Sequence, residues 1–360
     1  MKAPSWIRIE RRPSPSAWTV FAVSLAAIAA ALIAASVFFK AYGVSPLRAY
    51  HLVVTGALGS AVGLAETVRR TIPLLLIGVG LTVAFRALFW NIGAEGQLLM
   101  GAIAATGVAL FVPMPEVLRL PAMFVAGFAG GAAWAFIPAL LRARLGINDV
   151  IATLMLNYVA AFIVQWLTLG PWKGPTARGF AYTDKFPPSA MIPRIAGTTV
   201  HWPTLILGVV AAVLAYVWVA RTRQGFEIRV VGESPSAARY AGISQEKVII
   251  VVMLVSGGLA GLAGVGEVAG VQRMLLDPAK LSLGYGYTAI IVAWLARRNP
   301  LAVLVTSFLF GAIMAGGDVI KVSLGLPFQL VNVFNGLILF FLIGSEIFMK
   351  YKVSFAWRKH

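Results

Sequence analysis

Apolar residues run through this chain in long blocks, and polar residues gather in the gaps between them. About 20 consecutive apolar residues let a helix cross a bilayer core of about 30 Å. Taken in order, the blocks predict spans over 17–39, 71–88, 94–112, 121–141, 149–169, 203–220, 248–271, 284–296, 300–317 and 328–349. The first is longer than the core of a cleavable signal peptide, about 7–15 residues, so it is read as an uncleaved span. The eighth is too short to cross and is read as a half-helix that dips in and turns at Arg297, Arg298, Asn299 and Pro300. The pattern therefore predicts an all-α polytopic membrane protein of about ten helices, broken or short half-helices included, with both termini on one side. One transmembrane domain would cover 17–349, with tails at 1–16 and 350–360.

The gaps carry their own signals. Residues 40–70 mix small and charged residues and read as an outside loop with a helix at the interface. Pro113, Pro115 and Pro121 would interrupt any continuous helix between the third and fourth spans. Residues 170–202, rich in proline and glycine, read as a long irregular loop. The polar island at 221–247 contains SPSAARYAG, in which Ser234 suits an N-cap, Pro235 the first helical position and Gly242 a stop. Its roughly two turns are too short to cross a bilayer.

Composition agrees with the blocks. The chain of 360 residues is 59% hydrophobic and 12% charged, with a mean hydropathy of +0.86, outside the range of soluble domains. A formal charge of +17 raises the question of nucleic acid, but the basic residues are scattered between apolar runs and not clustered with aromatics. They suit topology signals and anionic lipid headgroups. With cytoplasmic termini, more than half of the 30 Lys and Arg fall inside, and the island is cytoplasmic. With no cysteine there is no thiolate chemistry, and the three histidines are far apart. No G-x-x-x-x-G-K-[ST] occurs, so any ATP is hydrolysed by another subunit. No nucleophile, base and orienter set can be assembled either, so the chain is not read as an enzyme, and no cofactor is expected.

Two stretches put polar groups at membrane depth. In FWNIGAEGQLLMGAIAA, Asn91 is placed to cap the following helix and Glu95 falls in its first turn, which a carboxylate favours through the helix dipole. The alternative is a solute path, since intramembrane charges normally line cavities and broken helices build such paths. In SGGLAGLAGVGEVAG, the spacings Gly257 to Gly261 and Gly266 to Gly270 permit close helix approach, while Glu267 must face a partner, a cavity or the interface. Asn91, Glu95, Gln97 and Glu267 are the candidate path residues. Asn157, Gln165, Gln329, Asn332 and Asn335 are read as interhelical hydrogen-bonding groups, and Asp149 as a neighbour of an N-cap.

NIGAEGQLLMGA and GESPSAARYAGI together resemble the membrane-spanning permease subunits of bacterial ABC importers in the branched-chain amino acid, ribose and nucleoside group. NIGAEGQ is most similar to the nucleoside and simple-sugar subset. The resemblance runs from about 70 to 349 and departs at Trp294 and Ala296, where small or aliphatic residues and a glycine are usual, and at Glu233, where asparagine is common. It implies that Ser234, Pro235, Ala237, Ala238, Arg239, Tyr240 and Gly242 form a cytoplasmic coupling helix docking on an ATP-binding subunit. It further implies a second homologous permease, an extracytoplasmic solute-binding (lipo)protein, a lipid environment and no nucleic acid partner, with the 170–202 loop extracytoplasmic. The expected activity is ATP-driven import of a nucleoside or simple sugar by alternating access across the cytoplasmic membrane. A secondary transporter coupling ions through intramembrane carboxylates is the alternative.

Overall fold

The computed structural model describes residues 7–11, 17–175, 180–326 and 351–355, and between them positions 333, 334, 336–338, 340, 341, 344, 345, 347 and 348. The chain forms two units, 1–57 with 313–360, and 58–312.

In the first unit, α1 (Ala17–Ala41) and α2 (Pro46–Leu58) are apolar helices meeting at a bend of 114°, with Gly43 in the left-handed region at the turn. The Phe39 and Tyr50 rings meet edge to face at 5.7 Å, and Phe334 lies 5.9 Å from Phe39. The chain ends depart from the all-helical expectation. IRIER and YKVSF alternate with a period of two, the strand repeat, and form strands β1 (Ile7–Arg11) and β2 (Tyr351–Phe355). They pair antiparallel, Ile7 opposite Phe355 and Arg11 opposite Tyr351, so the two terminal segments lie side by side.

The second unit contains α3 (Ala61–Arg86), α4 (Ala94–Phe111), α5 (Glu116–Leu145), α6 (Asp149–Leu169), α7 (Trp202–Arg221), α8 (Arg223–Glu233), α9 (Pro235–Tyr240) and α10 (Gln245–Val265). A π-helical segment, Gly266–Gln272, continues α10, and α11 (Pro278–Ser282) and α12 (Tyr285–Leu295) follow. α13 (Ala302–Leu324) begins in this unit. Among the described residues, seven helices are long and apolar enough to cross a membrane, or eight if the bent α1–α2 pair is one span. α12 is short, as expected of a half-helix. The predicted span 328–349 and its Gln329, Asn332 and Asn335 lie largely or wholly outside the described residues.

Three boundaries differ from expectation for physical reasons. α3 starts at Ala61, not near 71, because Glu66 takes both Arg69 and Arg70 as partners one turn away and the helix carries its charges as an internal set. α5 runs through Pro121, which is exposed and leaves only one backbone bond unmade, so the break falls at Pro113 and Pro115 alone. The island holds a second helix, α8, capped by the Thr222 hydroxyl accepting from Gly225 N at 3.0 Å.

α10 is packed among α3, α4 and α5. The crossing depends on small residues. A Cβ at Gly261 would clash with the Gly127 carbonyl oxygen, and one at Gly131 with that of Gly257. The outer faces of α5, α6 and α7 expose Val125, Ile151, Phe162 and Leu214, apolar surface suited to lipid.

Candidate functional site

Asn91 to Gln97 form the first polar cluster. Asn91 was expected to cap α4, but the cap is Gly93, whose N–H donates to Asn91 Oδ1 at 3.1 Å. Two residues separate Asn91 from the helix, and they let its amide turn inward. There Asn91 Nδ2 donates to Gln97 Oε1 (2.9 Å) and Ser256 Oγ (3.0 Å), and Gln97 Nε2 donates back to Asn91 Oδ1 (2.9 Å). Asn157 bridges helices as expected, accepting from Gly96 N at 2.8 Å and donating to the Ile92 carbonyl at 2.9 Å. Asp149 follows the N-cap Asn148 and has a second task, with Oδ2 accepting from Trp90 N at 2.7 Å. Trp294 lies 4.9 Å from Trp90 in an aromatic cluster that includes Phe85.

Glu95 occupies the first turn of α4 as read, but its carboxylate serves another helix. Oε2 accepts from Gly286 N at 2.7 Å, and the Ser282 hydroxyl and the Gly284 and Tyr287 amides also face it. A carboxylate at a helix N-terminus satisfies otherwise orphaned N–H groups and meets the positive end of the dipole. Glu95 thus holds the start of α12.

Glu267 lies in the π-helical segment and is fully buried, and neither carboxylate oxygen has a hydrogen-bond partner among the described residues. A π-turn widens the backbone and often marks a functional site. Arg69, Arg70, Glu66 and Tyr285 are near enough to interact electrostatically with it. Glu66 accepts from Arg69 through both carboxylate oxygens, the Nε bond measuring 2.8 Å, and from Arg70 Nε at 3.1 Å. Among the described residues the fully buried Tyr285 hydroxyl also has no hydrogen-bond partner, and neither do the buried Thr204 hydroxyl and the two His201 ring nitrogens. His201 and Thr204 pack on the bare faces of Gly266 and Gly270, where a Cβ would come within 3.2 Å of Thr204 and 2.8 Å of the imidazole. Burial, with the Arg69 and Arg194 charges adding to it, pushes His201 down to about 4, so its ring is neutral at ordinary pH.

Residues 180–201 cover this region through a string of backbone contacts. Thr183 N donates to the Leu275 carbonyl, Phe186 N to that of Arg273 and Ile192 N to that of Ala269. Arg194 donates to the carbonyls of Gly270 (2.7 Å) and Val271 (2.8 Å), which the π-turn leaves open. Only Glu267 of this cluster was singled out from sequence. Arg69, Arg70, His201, Thr204 and Tyr285 meet through the crossing of α3, α7, α10 and α12, and no local spacing announces it.

At the other polar region the sequence reading holds closely. The Ser234 hydroxyl accepts from Ala237 N at 3.3 Å, Pro235 opens α9, and Gly242 follows with φ of 72°. Ala238 is fully buried and seats the helix, while Pro235, Ala237, Arg239 and Tyr240 are exposed, Tyr240 to 97%. α8 connects α9 to the spans. A Cβ at Gly232 would clash with the Arg86 carbonyl oxygen, and Arg86 Nε donates to the Arg298 carbonyl at 2.7 Å, just beyond the end of α12.

Comparison with known proteins identifies this architecture. Residues 63–343 match the profile of the branched-chain amino acid transport system permease component. The chain is 37% identical to the glucose ABC transporter permease protein TsgB13 of Haloferax volcanii, over 98% of this chain and 94% of the relative. It is 32% identical to the nucleoside ABC transporter permease protein NupB of Lactococcus lactis (89% and 90%), and 32% to the guanosine ABC transporter permease protein NupP of Bacillus subtilis (90% and 93%). The chain therefore belongs to the family of branched-chain amino acid transport system permease components, and is a multi-pass ABC transporter permease of the cytoplasmic membrane.

Proposed function

We propose that this permease imports a nucleoside or a simple sugar by alternating access, taking it from an extracytoplasmic binding protein and driven by ATP hydrolysis in a separate subunit. The relatives named for glucose, nucleosides and guanosine support that solute class. The observation that carries the coupling is α9, a short capped helix seated by Ala238 and presenting Arg239 and a Tyr240 that is 97% exposed. An aromatic ring so exposed on a rigid polar helix suits insertion into a partner's groove. The ATP-binding subunit would dock there, on Ser234 to Gly242. A contiguous set of contacts supports transmission inward, from α9 through α8 to Gly232 on Arg86, from Arg86 to Arg298, and along α12 to the Glu95 cap. Packed elements with discrete arrangements carry such displacements.

In this reading Asn91, Glu95 and Gln97 flank the path by fixing α4 and α12, and Glu267 faces the solute. A second, homologous permease completes the pathway, and the 170–202 loop faces the binding protein. The pairing of β1 with β2 supports termini on one side, the cytoplasmic one by charge distribution. The unpaired Glu267 also suits an ion-coupled secondary transporter. Changing Arg239 and Tyr240 together to Asp separates the two. ATP-dependent uptake should fall at least about tenfold, with the permease still in the membrane and the ATPase subunit no longer co-purifying. Normal uptake and normal ATPase binding would remove α9 as the docking element.

A further inference from the structure

The Glu267 region has more structure than a single intramembrane carboxylate. Glu267, Tyr285, His201 and Thr204 are each buried to within the last percent of their surface, or close to it, and all present polar atoms without partners among the described residues. Leaving one such group unsatisfied costs about 1–3 kcal/mol, more when it is charged. Native interiors keep these orphans rare, and a concentration of them in one place points to a polar ligand. They come from three parts of the fold, Glu267 from the π-turn, Tyr285 from the start of α12, and His201 and Thr204 from the N-cap and first turn of α7. Arg69 is an electrostatic neighbour of Glu267, Tyr285 and His201, and His201 and Thr204 both pack on Gly266.

The chemistry of the set narrows the ligand. Around Glu267 itself, the guanidiniums of Arg69 and Arg70 stand against the carboxylates of Glu66 and Glu267, so these four charges balance, which suits an uncharged solute. Arg194, also near His201, donates from Nε and Nη2 to the Gly270 and Val271 carbonyls. The Glu267 carboxylate offers two acceptor oxygens side by side and needs two donors. The Tyr285 and Thr204 hydroxyls both donate and accept, and the neutral His201 ring offers one donor and one acceptor. Adjacent hydroxyls on one ring supply that complement, with two donors to the carboxylate and ether or hydroxyl oxygens left for the others. A glucose ring and a ribose share this feature, whereas only the nucleoside has a base.

We propose that Glu267, Tyr285, Thr204 and His201 form an intramembrane site for a pair of vicinal hydroxyls on the transported solute, with Glu267 accepting both. The inference rests on the importer reading above and adds the recognition element. Residues 180–201, fastened to the π-turn by Arg194 and Ile192, form its outer cover.

The test is uptake by the complete transporter in proteoliposomes, comparing guanosine with 2′,3′-dideoxyguanosine and D-glucose with 1,5-anhydro-3-deoxy-D-glucitol, the second solute of each pair having no adjacent hydroxyls. The wild type should carry one of the diol solutes at least about tenfold faster than its deoxy partner, since a site built to bond a hydroxyl rejects the analogue lacking it. Glu267→Ala and, independently, Tyr285→Phe should cut uptake of that diol about tenfold and leave the deoxy solute within about twofold, erasing the discrimination. Tyr285→Phe removes one oxygen and keeps the ring, so it decides the matter if Glu267→Ala does not assemble. Equal losses for both solutes, no loss for either, or a wild type that does not discriminate would overturn the site while leaving the importer reading intact. A wild type that carries neither nucleoside nor sugar would overturn that reading and the site with it.

Discussion

Glu95 and Glu267 look alike in sequence. Each is a lone carboxylate among glycines and alanines inside an apolar block, and each is almost wholly buried. Their surroundings differ completely. Glu95 meets the beginning of α12, where Gly286 N donates to it at 2.7 Å and further amides face it. Glu267 sits on a π-turn and meets side chains, two arginines already engaged with Glu66 and a tyrosine hydroxyl, with neither oxygen bonded among the described residues. A helix N-terminus offers several fixed donors at once, so a carboxylate there is a structural cap. A widened turn facing other elements' side chains leaves the Glu267 carboxylate without a hydrogen-bond partner among the described residues, which is why we propose that it takes the solute.

Two perturbations sharpen that contrast, the larger first. In Gly286→Ala the new Cβ would run into the Glu95 backbone and come within 2.7 Å of its Oε2. Overpacking of this kind costs about 1–3 kcal/mol, so the purified protein should melt at lower temperature. An unchanged melting temperature would show that α12 does not depend on the Glu95 cap. His201 gives the smaller effect. Its value of about 4 in the folded protein lies below the ordinary 6.5 of an exposed histidine. Between those values the unfolded chain binds a proton that the folded one does not, so stability present above 6.5 falls as the pH drops towards 4. Melting curves of wild type and His201→Gln should converge across that window, and parallel curves would count against a buried neutral imidazole.

Much of this molecule is legible in its sequence, for identifiable reasons. α6 and α9 are legible nearly to the residue because their boundaries are local chemistry, namely Asn148 as an N-cap, the Ser234–Pro235 start and the Gly242 stop. α3 was predicted ten residues short because Glu66, Arg69 and Arg70 look like loop charges until they are seen to neutralise one another along the helix. α8 was missed inside the polar island, although Gly225, Ile228 and Val231 repeat at three-residue spacing and are its buried face. The polar site was legible only through Glu267. Its other members are spread from Arg69 to Tyr285, and only the crossing of α3, α7, α10 and α12 gathers them. A lone histidine at the mouth of a span carries no sequence signal of its role.

The most direct test measures thermal melting and ATP-dependent uptake in parallel on Glu95→Gln and Glu267→Gln, in the same transporter preparation. For Glu95→Gln the account predicts lower melting, through loss of hydrogen bonds to a charged acceptor worth about 1.5–3 kcal/mol, and uptake per folded molecule within about threefold of wild type. For Glu267→Gln it predicts melting unchanged or raised, since a buried charge without a hydrogen-bond partner is removed, and uptake reduced about tenfold. A Glu267→Gln protein that melts early but transports normally, beside a Glu95→Gln protein that is stable but inactive, would contradict it.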